Sequence, residues 1–498
     1  MAQLFDSVPT DVKIGTALLL LAAAGTKLIS NSQSLPLPPG PQGHWLFGAT
    51  FSSSEAWRVL EEWTQEYGPV FSYRQGTRRM FIIGRTQAAI DILEREGAAT
   101  LDRPLNIPAE TASGGLRILN MSWSDQARKL RRAMHEHLRH KVALSYGDMQ
   151  EEHARNVILD ILKNPEDHQT HVRRFSAATT LRLAYGKTTP TYVDDLEIQR
   201  INVIVARLRK ILFPGSLWVD RIPLLRYIPG WLREQQEWHH NELDLYHSQV
   251  NTVKAQIAQG DAPQSFVKYL LEDQEKLGLS NDELAYLAGS LFNAGSESTA
   301  AVLGWVIVAA AKHPAAQVQV QAELDRIVGL QRAPTFDDEN GLPQVTAFMR
   351  EVYRWRPAST IAQAHRSRKD IIWKNYLIPA GSTIIGSQWS IAHDPEVWPN
   401  PDRFDPNRWL YEDGGLREDK KTFMFGFGRR FCPGQHFANR AVFINTALLL
   451  WSYNIREDPA HPIDSMAFSK SSLIHPQPFK VQFGPRVANL GSLLAERP

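Results

Sequence analysis

The ten residues Phe425–Gly434 read Phe-Gly-Phe-Gly-Arg-Arg-Phe-Cys-Pro-Gly and hold Cys432, the single cysteine of the 498-residue chain. A lone cysteine is most often a small buried hydrophobe. Its neighbours here point to chemistry instead. Gly426, Gly428 and Gly434 let the backbone approach a flat ligand closely, because no Cβ stands in the way. Pro433 fixes its own φ and removes a donor immediately after the sulfur. Loop amides can then stabilise a thiolate, and Arg429 and Arg430 can neutralise carboxylates. The set suits a soft, anionic sulfur ligand for iron beside a flat cofactor that carries acids.

A second chemical stretch, Asn293–Thr299, reads Asn-Ala-Gly-Ser-Glu-Ser-Thr and interrupts an apolar run. Polar groups inside a core are costly unless satisfied or useful. On its own this heptapeptide reads as small residues easing helix packing. A third stretch places Glu351 and Arg354 at i and i+3, where they share one helix face and can pair.

The elements that must position these residues are mostly helical. Ser280 and Glu283 form a capping box, and Pro314 ends the run they start. The helix between them spans about 48 Å at 1.5 Å per residue, the diameter of a domain. Trp123–His140 is a basic helix with Leu130, Met134 and Leu138 as its buried stripe. Its charges, Arg128, Lys129, Arg131, Arg132 and Arg139, form either a solvated face or, beside the stripe, inward-reaching groups. Trp57–Tyr67 has helical spacing, and Val70–Tyr73 with Met80–Ile83 predicts a hairpin turning at Gly76. Tyr376–Ile384 reads as strand, turn, strand.

Composition bounds the class. Hydrophobic residues at 43% and charged ones at 22% describe a globular protein. A net charge of +2 suggests no nucleic-acid partner. With one cysteine no intramolecular disulfide forms, so the fold does not depend on an oxidising compartment. Ile14–Gly25 is an uncharged run between Lys13 and Lys27, shorter than the ~20 residues of a usual spanning helix. A cleaved signal fits its length, but Asp6 and Asp11 make a poor n-region. An anchor helix lengthened by snorkelling of the lysines is the favoured reading. Pro36, Pro38, Pro39 and Pro41 then form a stiff hinge. The expected organisation is an anchor over 1–30, a proline-rich hinge over 31–43 and one domain over 44–498.

These stretches carry a family resemblance. Phe425, Gly428, Arg430, Cys432 and Gly434 fill every fixed place of the heme-binding loop of cytochrome P450s, Phe-x-x-Gly-x-Arg-x-Cys-x-Gly. Ala294-Gly295-x-Glu297-Ser298-Thr299 resembles that family's Ala-Gly-x-(Asp/Glu)-Thr-(Thr/Ser) motif, with Ser298 where its oxygen-activating threonine stands. Glu351-x-x-Arg354 and Pro401-x-Arg403-Phe404 resemble its Glu-x-x-Arg and Pro-x-Arg-Phe motifs. In its Trp-x-x-x-Arg motif Arg131 matches, while Ala127 replaces the tryptophan. Pro214, Gly215, Val219, Asp220 and Pro223 match the lid segment of membrane-bound fungal members.

The resemblance implies a mainly α fold with small β-sheets, and heme b with Cys432 as the iron ligand. Arg131, His365, Arg430, Phe425, Gly426 and Gly434 would contact the cofactor, although a lone histidine such as His365 is more often a satisfied core or surface residue. Ala294, Gly295, Glu297, Ser298 and Thr299 would form an oxygen groove that delivers protons. Glu351, Arg354 and Arg403 would brace the cysteine loop as a buried triad. Asn293, Ser359, Thr360, Ile361 and Gln363, with Leu473 and Ile474 in the turn 471–479, would face substrate. The implied activity is monooxygenation of a lipophilic small molecule with O2 and an NADPH-dependent reductase, in secondary metabolism, at the endoplasmic reticulum membrane with the domain in the cytosol. The basic residues Lys420, Lys421, Arg429, Arg128, Lys129 and Arg132 would steer the reductase or serve general solubility. An isomerase of the same fold, needing no reductase, and a heme sensor are the alternatives.

Overall fold

Capping chemistry sets where the site-bearing helices begin. In the computed structural model, which describes residues 35–495 except 45, 46, 50, 52–54, 190, 193, 213, 214 and 470–472, the Ser124 hydroxyl accepts from the Ala127 N–H. That cap starts α1 (Asp125–Leu138), whose Leu130, Met134 and Leu138 are buried as their spacing predicts. The proposed anchor, the start of the hinge, Pro214 and the first residues of the turn at 471 lie outside the described residues.

Next come α2 (His168–Tyr185), buried along most of its length, then α3 (Leu196–Ile211) and α4 (Arg233–Gln259). The predicted capping box is present at Ser280 and Glu283 and opens α5 (Asn281–Lys312). This 32-residue helix is apolar nearly all round, as a helix enclosed by others must be. Among the described residues it alone is long and apolar enough to cross a membrane, but it is the packed centre of the domain. It also runs unbroken through Asn293–Thr299, so no helical break forms there. Gly295 explains the close packing against α2. A Cβ there would lie 2.5 Å from the Thr180 Oγ1, and the Ser176 hydroxyl donates to the Gly295 carbonyl at 2.7 Å. The helices α6 (Pro343–Trp355) and α7 (Gln435–Ser452) complete the core on the far side.

The sheets are small. The predicted hairpin is β1 (Val70–Gln75) with β2 (Arg78–Ile83), Val70 opposite Ile83 and Gly76 at φ +58° in the turn. The strands β3 (His365–Arg366), β4 (Ile371–Trp373), β5 (Tyr376–Ile378) and β6 (Thr383–Gly386) follow. The order β1-β2-β6-β3 makes one four-stranded sheet, with β2 and β6 parallel. The segment Tyr376–Ile384 thus folds as strand, turn, strand, as expected, with its two strands in different sheets. β5 pairs back on β4, and the turn at Pro379–Gly381, with Gly381 at φ +80°, redirects the chain so that β6 joins the larger sheet. Near the end β7 (Tyr453–Glu457) pairs with β8 (Val481–Pro485).

The segment between α3 and α4 carries the helical turns Trp218–Arg221 and Pro223–Tyr227. Asp220 is its fixed point. Fully buried, it accepts from the backbone N–H groups of Ile107 at 3.1 Å and Gly215 at 3.3 Å, with the Arg78 guanidinium 3.6 Å away.

Candidate active site

The cysteine loop turns where its glycines allow. Gly426 and Gly428 have φ +86° and +51°, and a Cβ on Gly428 would stand 2.6 Å from the Leu93 carbonyl oxygen. The Gly428 N–H donates to Glu94 at 2.9 Å and the Cys432 N–H to the Phe425 carbonyl at 2.9 Å, closing the loop. Phe425 packs edge-on against Tyr353 of α6. Burial pushes the Cys432 thiol up, and the Gly434 amide and the Arg131 guanidinium oppose that rise by favouring the thiolate.

Beside the sulfur stands a cluster of guanidiniums. Arg131 donates to the Phe431 carbonyl at 2.5 Å. Arg430 donates to the carbonyls of Leu101 at 2.9 Å and Met121 at 2.7 Å, with its guanidinium 5.2 Å from the Trp123 ring. Arg103 donates to the carbonyls of Leu119, Gln363 and Ala364. Burial disfavours the charge on all three, and mutual repulsion adds to it at Arg430 and Arg103. Arg430 falls to about 10 through burial and Arg131, and Arg103 drops well below its ordinary range through burial, Arg430 and Arg131, with Asp102 opposing. Such a cluster favours a bound anion. His365 lies against it, its ring kept neutral and pushed down to about 3 by burial and Arg103. Its Nδ1–H donates to the Thr100 carbonyl at 2.6 Å, so Nε2 is an acceptor.

On α5, Ala294 is exposed while Asn293, Gly295, Glu297 and Ser298 are half-buried, in a helix otherwise packed on every side. The Ser298 hydroxyl donates back to the Ala294 carbonyl at 2.9 Å, and Thr299 is buried. Glu297 turns away from the helix, 2.9 Å from Arg209 of α3 and 3.0 Å from His475 Nε2. Burial alone would raise its carboxyl, but His475, Arg209 and Arg173 outweigh burial and hold it below the usual range.

Behind the loop, Glu351 and Arg354 pair at 2.7 and 2.9 Å with both side chains 0% exposed. The expected third member differs. The Arg403 side chain is 73% exposed and reaches only Asp405, while its carbonyl accepts from Arg354 at 3.1 Å. Arg408 takes its place near Glu351, at 3.5 Å, because the turn Pro406–Trp409 brings Arg408 and the Trp409 indole N–H to the same carboxylate.

The profile of the family described as Cytochrome P450 matches residues 38–483. The chain belongs to the cytochrome P450 family. It is 47% identical to cytochrome P450 monooxygenase 64 of Postia placenta over 477 residues, 96% of each chain. It is 33% identical to cytochrome P450 monooxygenase 58 of the same fungus, over 97% of this chain and 96% of the relative. Cytochrome P450 monooxygenase claR of Ampulloclitocybe clavipes is 28% identical, over 98% and 93%. This P450 is a monooxygenase that binds heme b, uses O2 and a redox partner, and acts on a small molecule.

The residues present fit heme b. A sulfur donor stands beside three guanidiniums, none of which forms an ion pair among the described residues, with Asp102 the carboxylate that acts on two of them; the set suits the iron and the two acids of that cofactor. Sequence reasoning missed Arg103, whose only signal was an Asp-Arg-Pro run at 102–104, and it missed His475. It also left Ala127 without a substitute. Ala127 is wholly buried, and Trp123, just before the Ser124 cap of α1, meets Arg430 instead. Of the pocket residues, Asn293, Ser359, Ile361, Gln363 and Leu473 are half-buried, with Ser359 bridged to Leu473. Thr360 and Ile474 are more deeply buried, at 5% and 1% exposure, and the Ile474 carbonyl accepts from the Trp305 indole.

Proposed function

We propose that this P450 inserts one atom of O2 into a lipophilic small molecule of secondary metabolism, fed by an NADPH-dependent flavoprotein reductase at the endoplasmic reticulum membrane. The observation that carries the reading is the presence in one domain of the Cys432 loop and the polar, partly exposed stretch Asn293–Ser298 of α5. When bound, heme supplies the oxygen-activating iron chemistry, with the Cys432 thiolate as its axial donor. Arg131, Arg430 and Arg103 would hold its carboxylates, His365 would shape that end of the site, and Phe425, Gly426 and Gly434 would shape the loop around the sulfur. Ala294, exposed on α5, keeps side-chain bulk small beside the reacting space, and Gly295 lets that stretch of helix pack closely on α2 at Thr180. Glu297 and Ser298 deliver protons to it, and buried Thr299 supports the turn that carries them. Ser359, Ile361, Gln363 and Leu473 give substrate an apolar wall with a few hydrogen-bonding groups, the usual make-up of such pockets.

The membrane reading has its own support. Leu224 at 74%, Tyr227 at 69% and Trp218 at 54% exposure form an apolar patch with Arg221 and Arg226 between the two lid turns. Large exposed aromatics flanked by basic residues suit an interface with lipid. Reductase docking falls to Arg132 and Arg429, which are exposed. Lys129 and Lys421 are already engaged by Glu283 and Glu94, both at 2.8–2.9 Å.

The decisive experiment is metabolite profiling of a host that supplies a reductase, with and without this chain. A new oxygenated product, lost in Cys432→Ala, is expected. Product formation that persists without NADPH would overturn the monooxygenase reading in favour of an isomerase.

A further inference from the structure

Glu297 faces two arginines and a histidine: Arg209 from α3 at 2.9 Å, Arg173 from α2, and His475 from the turn that follows Leu473. They are not equivalent. Guanidinium does not release its proton in a protein, so the two arginines can hold the carboxylate but cannot feed it. Imidazole is the side chain that exchanges a proton near neutrality. A carboxylate held ionised by its neighbours and required to pass protons inward needs such a source beside it.

His475 is built into its place. Its N–H donates to the Ser469 hydroxyl at 3.0 Å, its carbonyl accepts from the Ser469 N–H at 2.8 Å, and the preceding Ile474 N–H donates to the Ala358 carbonyl at 2.8 Å. The ring is nearly buried, with Nε2 3.0 Å from the Glu297 carboxylate. Nε2 has no aligned hydrogen bond among the described residues, so the contact is one of proximity, and a small rotation of the carboxylate makes or breaks it.

We infer that His475 is a positioning residue that holds Glu297 and returns a proton to it. The inference rests on the assignment of Glu297 to proton delivery. In the step, the Nε2–H bond breaks and an O–H bond forms on Glu297, the imidazole keeping the electron pair. The neutral ring then takes a proton from a solvent hydronium ion, which leaves as water. Because His475 and Leu473 share one turn, the segment that meets substrate also governs the proton supply.

The test uses the heme-loaded enzyme with its reductase and no added substrate. NADPH oxidation is followed in H2O and D2O from about pH 6 to about pH 8.5, the span in which imidazole ordinarily titrates. His475→Gln should slow it about tenfold, less than the ~100-fold typical of losing a group that transfers the proton directly. It should also flatten the pH profile and enlarge the solvent isotope effect. His475→Arg separates supply from mere pairing, because it keeps the charge and cannot release a proton. Arginine should restore the unfolding midpoint and leave the rate low. A rate, pH profile and isotope effect unchanged in His475→Gln would overturn the inference, as would full rescue by arginine. A double-mutant cycle with Glu297→Gln on the unfolding midpoint reads the contact without turnover, and additivity there would overturn it too. Absence of any oxygenated product from the unaltered enzyme would instead refute the monooxygenase reading, while the coupling measured between His475 and Glu297 would still decide whether the pair exists.

Discussion

Replacing Arg354 by alanine removes the densest polar junction of the scaffold. Its guanidinium donates twice to Glu351 and once each to the carbonyls of Ala392 at 3.1 Å, Pro401 at 2.7 Å and Arg403 at 3.1 Å. The variant leaves Glu351 as a buried charge whose remaining partners are the Asp405 N–H, the Trp409 indole N–H and the more distant Arg408. Breaking a buried pair in this way costs ~3–5 kcal/mol, set against a typical total stability of ~5–15 kcal/mol. Arg403→Ala removes a solvent-exposed side chain and spares the carbonyl that Arg354 uses, so it should stay within about 0.5 kcal/mol. Arg408→Ala removes the 3.5 Å contact with Glu351 and the donor to the Asn400 carbonyl at 2.9 Å, and should cost about 1 kcal/mol. Urea unfolding of the heme-loaded protein, followed by tryptophan fluorescence and the Soret band together, orders the three. A cost for Arg403→Ala equal to that for Arg354→Ala would refute the reasoning and restore the triad expected from the sequence motifs.

Other outcomes follow from the same geometry. Gly428→Ala forces a Cβ into a positive-φ position 2.6 Å from the Leu93 carbonyl oxygen, and the heme-bound fraction, read from the CO-difference spectrum, should fall by half or more. Gly295→Ala should push α5 from α2 at Thr180 and lower the unfolding midpoint, and Thr180→Ala added to it should recover most of the loss. A double variant no better than the single would contradict that contact. Arg430→Leu leaves the carbonyls of Leu101 and Met121 without their donor and removes one positive charge of the cluster. It should weaken heme retention on dilution, and full occupancy would show that Arg131 and Arg103 suffice.

What was legible in the sequence was what local rules decide. The Ser280 box set the start of α5 to the residue, and the alternation on either side of Gly76 set the hairpin. Cys432 and its glycines were legible because few chemistries need that combination. What escaped was decided by long-range closure. Arg408 displaces Arg403 at Glu351 only because a short helical turn ends there, and no spacing rule reports which of two nearby arginines will point inward. β5 and β6 part company across a turn that looks like an ordinary hairpin connection. His475 reaches Glu297 across 178 residues of chain, and Arg103 joins Arg430 across more than three hundred. The His365 ring was legible as a member of the cofactor end, but its proton was not, since that depends on Thr100 and on the field of Arg103.

Asp220 gives the segment between α3 and α4 a mechanical unity with its neighbours. One carboxylate grips the backbone at Ile107, the backbone at Gly215 and the side chain of Arg78, so three segments far apart in sequence share a single tether. Moving the segment 215–227 relative to its neighbours would therefore break contacts to the Ile107 backbone and to the tip of the β1–β2 hairpin together, so Asp220→Ala should loosen all three segments at once.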